Sequence, residues 1–269
     1  MKKPLITLTS DFGVQSRGIG SMEATILDIS PDVNVVHLAH GLPDYDIVSA
    51  SRVMESIAYL PIGYHICVVD PGVGTERKGI IIKTKRGDYL IGPDNGVLIS
   101  TAKILGEYEK VVRISNLKYM RQPVSPVFHG RDVFSPAAAY LSKGIVIEEF
   151  GDELKFEELV KAPYDEAVVK DGQIEAQVIF INKYGSIVLN ILSSVWDELS
   201  IKGNQILILD FQGKKVELPF VETYGKVDKN KPLILKEDYG RIEVAINLGN
   251  FSKTYGIKMG DKCLIKKKS

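Results

Sequence analysis

The sequence predicts an α/β N-terminal domain with a largely parallel sheet, followed by a smaller all-β, barrel-like C-terminal domain. Three observations carry this. Up to about residue 160, β-branched runs alternate with helical periodicities, the pattern of a sheet covered by helices. Beyond about residue 171 the helical pattern stops, and short strand patterns succeed one another between turns. No Pro/Gly-rich or low-complexity linker lies between, so the domains, 1–160 and 171–269, are expected to pack rather than hang on a tether.

In the first domain the reading is strand 5–9, helix near 20–29, strand 33–37, helix near 46–59, strands 66–69, 79–84 and 89–92, helix near 96–105, strand 111–114 and helix near 133–142. Lys85-Arg86-Gly87-Asp88 has the composition of a hairpin connection, so one strand pair is expected to be antiparallel. In the second domain strands are read at 173–181, 187–191, 205–211, 215–221, 232–235, 242–246 and 262–266. Lys183-Tyr184-Gly185-Ser186 and Gln212-Gly213-Lys214 supply turns between them.

Composition excludes several classes. The 34 basic and 34 acidic residues balance, leaving no electrostatic footprint for nucleic acid or an anionic membrane. Lys266-Lys267-Lys268 reads as a frayed, solvated end rather than a patch. Cys67 and Cys263 are far apart and outside any CxxC, so neither a disulfide framework nor a thiolate metal site is supported, and Cys67 is expected to pack in its strand. Met1-Lys2-Lys3-Pro4 leads straight into a strand rather than an apolar leader, and no apolar run spans a bilayer. The expectation is a cytoplasmic protein.

The chemistry concentrates where strands end. Ile66-Cys67-Val68-Val69 stops on Asp70, followed by Pro71, Gly72, Val73 and Gly74, which neither prolong a strand nor open a helix; Arg77 can fold back beside Asp70. An ordinary turn-capping Asp is the alternative. The first strand likewise ends on Asp11-Phe12-Gly13, which puts Asp11 at the same sheet edge. Phe128-His129-Gly130-Arg131-Asp132 precedes the Ala-rich helix 136–141, with Gly130 free to let a ligand approach the backbone. Pro93-Asp94-Asn95-Gly96 is read as a turn and helix cap or as an indirect part of the site. Asp11-Phe12-Gly13 lacks every companion of the kinase motif, Gly18-Ile19-Gly20 lacks a third glycine, and no Walker A sequence exists. His37, His40 and His65 are given structural roles, there being no HExxH glutamate beside them.

Taken together, TSDFG at 9–13, VVDPGVGTER at 68–77, GPDNG at 92–96 and FHGRD at 128–132 resemble the S-adenosyl-L-methionine hydroxide adenosyltransferase family, the SAM hydrolases related to the fluorinase and chlorinase. The resemblance implies hydrolysis of SAM to adenosine and L-methionine, with Asp70, Arg77 and His129 handling the water and Asp11 accepting from both ribose hydroxyls. A sulfonium leaving group needs no acid and no metal, so SAM is a substrate and no cofactor is expected. The guanidinium and the imidazole are expected to lower the water's pKa while the carboxylate orients it. Further substrate contacts are implied at Tyr45, Phe128, Gly130 and Leu248. In the second domain Tyr184 would stack on adenine, Ser186 bond its edge and Asn182 meet the amino group through its carbonyl, although Asn182 replaces an acid and Ser186 an Asn. Asp238 and Tyr239 resemble a methionine-clamping segment; a turn and a half-buried strand is the plainer reading. The family also implies a homotrimer in which SAM lies between one subunit's first domain and its neighbour's second. Two alternatives stand: a SAM-dependent halogenase, for which Asp70 is electrostatically wrong, and a SAM- or adenosine-binding module without turnover.

Overall fold

The computed structural model describes residues 2–268, which divide into two compact units with the boundary between Pro163 and Tyr164. The first unit holds β1 (Leu5–Ser10), α1 (Arg17–Ile29), β2 (Asn34–Ala39), α2 (Ile47–Met54), β3 (Tyr64–Val68), β4 (Gly79–Thr84), β5 (Tyr89–Pro93), α3 (Ile99–Ile104), β6 (Tyr108–Arg113) and α4 (Ser135–Ser142). Its sheet runs β2-β1-β3-β5-β4-β6. β1 is parallel to β2 and β3, and β3 to β5, whereas β4 is antiparallel to both β5 and β6, as the Lys85–Asp88 hairpin requires.

Alternation along the strands builds two cores. Ile6, Leu8, Ile66, Val68 and Ile91 face a cluster that takes Met22 and Ile26 from α1 and Ala137–Ala139 from α4. Cys67, Val69, Ile80, Ile82 and Leu90 face the opposite cluster, with Ala50 and Met54 of α2 and Ala102 of α3. Both faces are covered, which is why β3 reads as an unbroken apolar run. α1 starts earlier than its periodicity indicates because Ser16 caps it, accepting from the Gly18 N–H. α2 gives way to a 3₁₀ turn at Glu55–Tyr59, and a π turn at Gly130–Phe134 leads into α4.

The second unit holds β7 (Val168–Lys170), β8 (Gln173–Ile181), β9 (Ile187–Leu192), α5 (Ser193–Glu198), β10 (Ile206–Phe211), β11 (Lys214–Pro219), β12 (Pro232–Lys236), β13 (Arg241–Ile246), α6 (Phe251–Tyr255) and β14 (Lys262–Lys267). The order is β11-β10-β14-β8-β9-β13-β12, with β7 on β8 and every ladder antiparallel. A bridge between Phe220 and Ile234 draws the two ends together into a nearly closed barrel. It surrounds one core that includes Trp196 and Phe251. The frayed end expected at Lys266-Lys267-Lys268 is corrected: Lys266 and Lys267 pair with Ile208 and Leu207, and the Lys268 ammonium meets Glu217, so backbone pairing holds this lysine run. Among the described residues no helix is long and apolar enough to cross a membrane.

Candidate active site

Parallel pairing of β1 with β3 sets Ser10 against Val68, so Asp11 and Asp70 emerge from the same carboxyl-end edge of the sheet, where ligands of α/β sheets sit. An open cavity of about 360 Å³ lies there, lined by Asp11, Tyr45, Asp70, Phe128, His129 and Gly130 among others. Of the first-unit residues implied by the sequence, only Arg77 is outside the lining.

Arg77 stands behind it. Its Nε donates to Asp70 Oδ1 at 3.0 Å, and Nη2 donates to the other carboxylate oxygen and also to His129 Nδ1, 3.0 Å away. The Arg77 and Asp70 side chains are only 8% and 5% exposed, and the guanidinium lies over the Phe134 ring. Arginine has no acceptor, so Nδ1 must carry the lone pair and Nε2 the proton. Burial, and after it the Arg77 charge, lower the His129 pKa. In this arrangement the imidazole is neutral: the fixed charge is Arg77's, while His129 offers an Nε2–H donor.

The local fold follows from small residues and side-chain ties. Gly74 has φ +76°, and a Cβ there would lie 2.4 Å from the Pro126 carbonyl oxygen, so only glycine lets the Asp70–Arg77 loop rest on the segment carrying His129. Asn95 forms the expected turn but does not cap α3, whose first turn follows Leu98 with no side-chain cap: Oδ1 accepts from the Val97 N–H at 3.2 Å, while Nδ2 donates to the Val69 carbonyl at 2.8 Å, fixing the backbone just before Asp70. Gly130 is also packed on its inner side. A Cβ on it would crowd Met22 Sδ at 3.0 Å and Val68 at 3.4 Å, so interior packing favours the glycine. Asp11 Oδ2 accepts from the Tyr45 N–H at 2.9 Å, and Phe12 meets Phe128 edge to face.

The second unit separates its candidates. Tyr184 is 67% exposed in the β8–β9 turn, with the Lys183 ammonium over its ring. Ser186 is buried in the same turn, and Leu248 stands nearby, since the Ser252 N–H bonds the Gly185 carbonyl. Asn182 Oδ1 already accepts from the Tyr184 and Ser186 N–H groups at 3.0 and 3.1 Å. Its carbonyl oxygen is thus engaged in the turn. Asp238 and Tyr239 occupy the β12–β13 turn, where Gly240 accepts from the Ser193 N–H. β13 separates that turn from the Tyr184 end by about 20 Å, so the two sets are not brought together within this unit.

Comparison with known proteins adds to this geometry. Residues 6–151 match the SAM hydroxide adenosyltransferase N-terminal domain and residues 176–264 its C-terminal domain. The chain is 31% identical over 268 residues to a Methanocaldococcus jannaschii protein named (R)-S-adenosyl-L-methionine hydrolase, covering 96% of this chain and 94% of that one. A Thermus thermophilus protein of the same name is 31% identical over 260 residues, 93% and 95% of the two chains. A fluorinase from Nocardia brasiliensis is more distant, 22% identical over 98% of this chain and 97% of its own. A crystal structure of an uncharacterized conserved protein from Thermotoga maritima superposes with a TM-score of 0.90 at 30% identity, covering 97% and 99%. With both domains matched in order and the strand-end Asp, Arg and His assembled at one cavity, the chain belongs to the SAM hydroxide adenosyltransferase family.

Proposed function

We propose that this chain is an enzyme that hydrolyses S-adenosyl-L-methionine to adenosine and L-methionine. The observation that carries the reading is the Arg77 guanidinium shared between Asp70 and His129 at the cavity wall. A carboxylate has about four lone-pair sites and Arg77 uses two, so Asp70 retains acceptor capacity for a water while His129 Nε2–H donates to the same oxygen. The water oxygen bonds to the ribose 5′ carbon and the C5′–S bond breaks. Its electron pair returns to sulfur as the neutral thioether of methionine, and one water proton passes to Asp70 and on to solvent. Arg77 holds Asp70 in place through two hydrogen bonds. Asp11 accepts from the ribose hydroxyls, Phe128 and Tyr45 wall the sugar, and Tyr184 with Ser186 and Leu248 meets the adenine. Support for hydrolysis over halide transfer comes from the anionic Asp70, which repels a halide, and from the lower identity of the fluorinase relatives.

Incubation of the purified protein with SAM, with and without chloride, followed by chromatography tests this. Adenosine in both samples is the expected result. A 5′-chloro nucleoside would make the chain a halogenase, and unchanged SAM a binding module. We further infer a homotrimer whose sites are completed between subunits. Light scattering of active protein at monomer mass overturns that, as does failure of a His129-inactivated chain to regain activity when refolded with a Tyr184-altered one.

A further inference from the structure

We propose that His40, just past the end of β2, is a positioning residue that sets the orientation of the Asp11 carboxylate through the β1–α1 turn. The inference rests on the reading that Asp11 meets the ribose hydroxyls. Its ring Nδ1 lies 2.7 Å from Ser10 Oγ, and its own carbonyl accepts from the Gly13 N–H at 2.7 Å. Ser10 Oγ in turn accepts from the Phe12 N–H at 3.4 Å. Residues on both sides of Asp11 are therefore tied to His40, while the Asp11 carboxylate accepts from the Tyr45 N–H. Ser10 and His40 are buried, so these bonds form without competition from water.

The ring is held in one state by a chain that runs in a single direction. Ser10 O–H donates to His40 Nδ1, His40 Nε2–H donates to His37 Nδ1 at 2.8 Å, and His37 Nε2–H donates to Glu23 Oε2 at 3.3 Å. In this direction every donor finds an acceptor, with the His40 proton on Nε2. Burial, and secondarily His37, depress the His40 pKa to about 4, in keeping with that assignment. A helix-spaced pair of histidines, 30 residues from Ser10 in sequence, thereby fixes which way the first strand delivers its acid.

Recognition of a ribose 2′-hydroxyl gives a readout that general stability does not move: the ratio of the dissociation constants for 2′-deoxyadenosine and adenosine, measured by calorimetry. The wild-type ratio is expected to be roughly tenfold or more, as for a hydrogen bond to a charged acceptor. His40→Ala and Ser10→Ala are both expected to reduce it several-fold toward the Asp11→Ala value, and Asp11→Ala/His40→Ala to fall no further than Asp11→Ala alone. His40→Asn, whose side-chain oxygen can occupy the Nδ1 position, is expected to restore most of it. Ser10→Ala removes one hydroxyl and serves if His40→Ala does not fold. A ratio lost in Asp11→Ala but at the wild-type value in the folded His40 or Ser10 variants overturns the positioning role and leaves the ribose reading intact. A wild-type ratio in Asp11→Ala overturns the ribose reading itself, and the inference with it.

Discussion

Two clusters in the α/β unit contain the same three residue types at opposite edges of one sheet. At the carboxyl edge Arg77 bridges Asp70 and His129 beside an open cavity. At the amino edge Asp88 takes bonds from His65 Nε2 at 3.1 Å, the Gly63 N–H at 3.2 Å and the Arg86 guanidinium at 2.6 and 3.0 Å. Thr7 closes this second set with a hydroxyl 2.9 Å from His65 Nδ1, and Thr7, His65 and Asp88 are all fully buried. It even has the hydroxyl–His–Asp order of a nucleophilic triad, yet no substrate can reach Thr7. The difference lies in spare capacity. Asp88 and His65 have spent their bonding positions on the fold, whereas Asp70 keeps lone pairs and His129 a donor directed away from Arg77.

Isosteric changes at the two carboxylates separate the clusters most strongly. Asp70→Asn is expected to lower the rate of adenosine formation by about 10²–10⁴-fold while SAM still binds, because the amide keeps the shape and loses the base; steady-state turnover and calorimetry measure both. Near-wild-type turnover would break the comparison. Asp88→Asn is expected to leave turnover per folded molecule unchanged and to cost about 3–5 kcal/mol in denaturant unfolding, the usual consequence of uncoupling a buried charged network.

Acid unfolding probes the same carboxyl. Burial pushes the Asp88 pKa up, but the bonds from His65 and Arg86 prevail and hold it at about 2, below its ordinary 3.8. A depressed carboxyl contributes stability that is complete above the unfolded value and disappears as pH falls, so this contribution is expected to vanish between about 4 and 2. In Asp88→Asn the unfolding free energy should lose that slope. Thr7→Val removes one donor to a buried ring nitrogen and is expected to cost about 1–3 kcal/mol with no change in activity. The smallest effect is a titration. Arg77→Gln removes a charge that depresses His129, so the His129 pKa is expected to rise, and NMR titration of the imidazole should show the upward move.

Much of this was legible in the residues. A β-branched run ending on Asp-Pro-Gly identifies a strand end, and parallel pairing then aligns Asp11 with Asp70, which is why the cavity matches the first-unit candidates. What remained hidden depends on contacts distant in sequence. β7, α5 and α6 are three to six residues long, too short for a periodicity to declare itself. The distance from Asp238 to Tyr184 is set by the register of β13 against β9, and the engagement of the Asn182 oxygen by a turn that places two N–H groups on it. Asn95 and His40 each reach a partner 26 or 30 residues away, so the spacing 37/40 spoke only of a histidine pair.

Gly74 leaves clearance between two loops that meet face to face, and that clearance keeps His129 on the Arg77 guanidinium. A single added carbon would act as a wedge, since its position falls 2.4 Å from a backbone oxygen that has no rotamer with which to retreat. Parting the loops would leave Asp70 and Arg77 bonded within their own segment and strand His129 as an independent imidazole. The coupling of base, cation and histidine is in that sense a mechanical tolerance, set by one missing methyl group rather than by the identity of the three residues it joins.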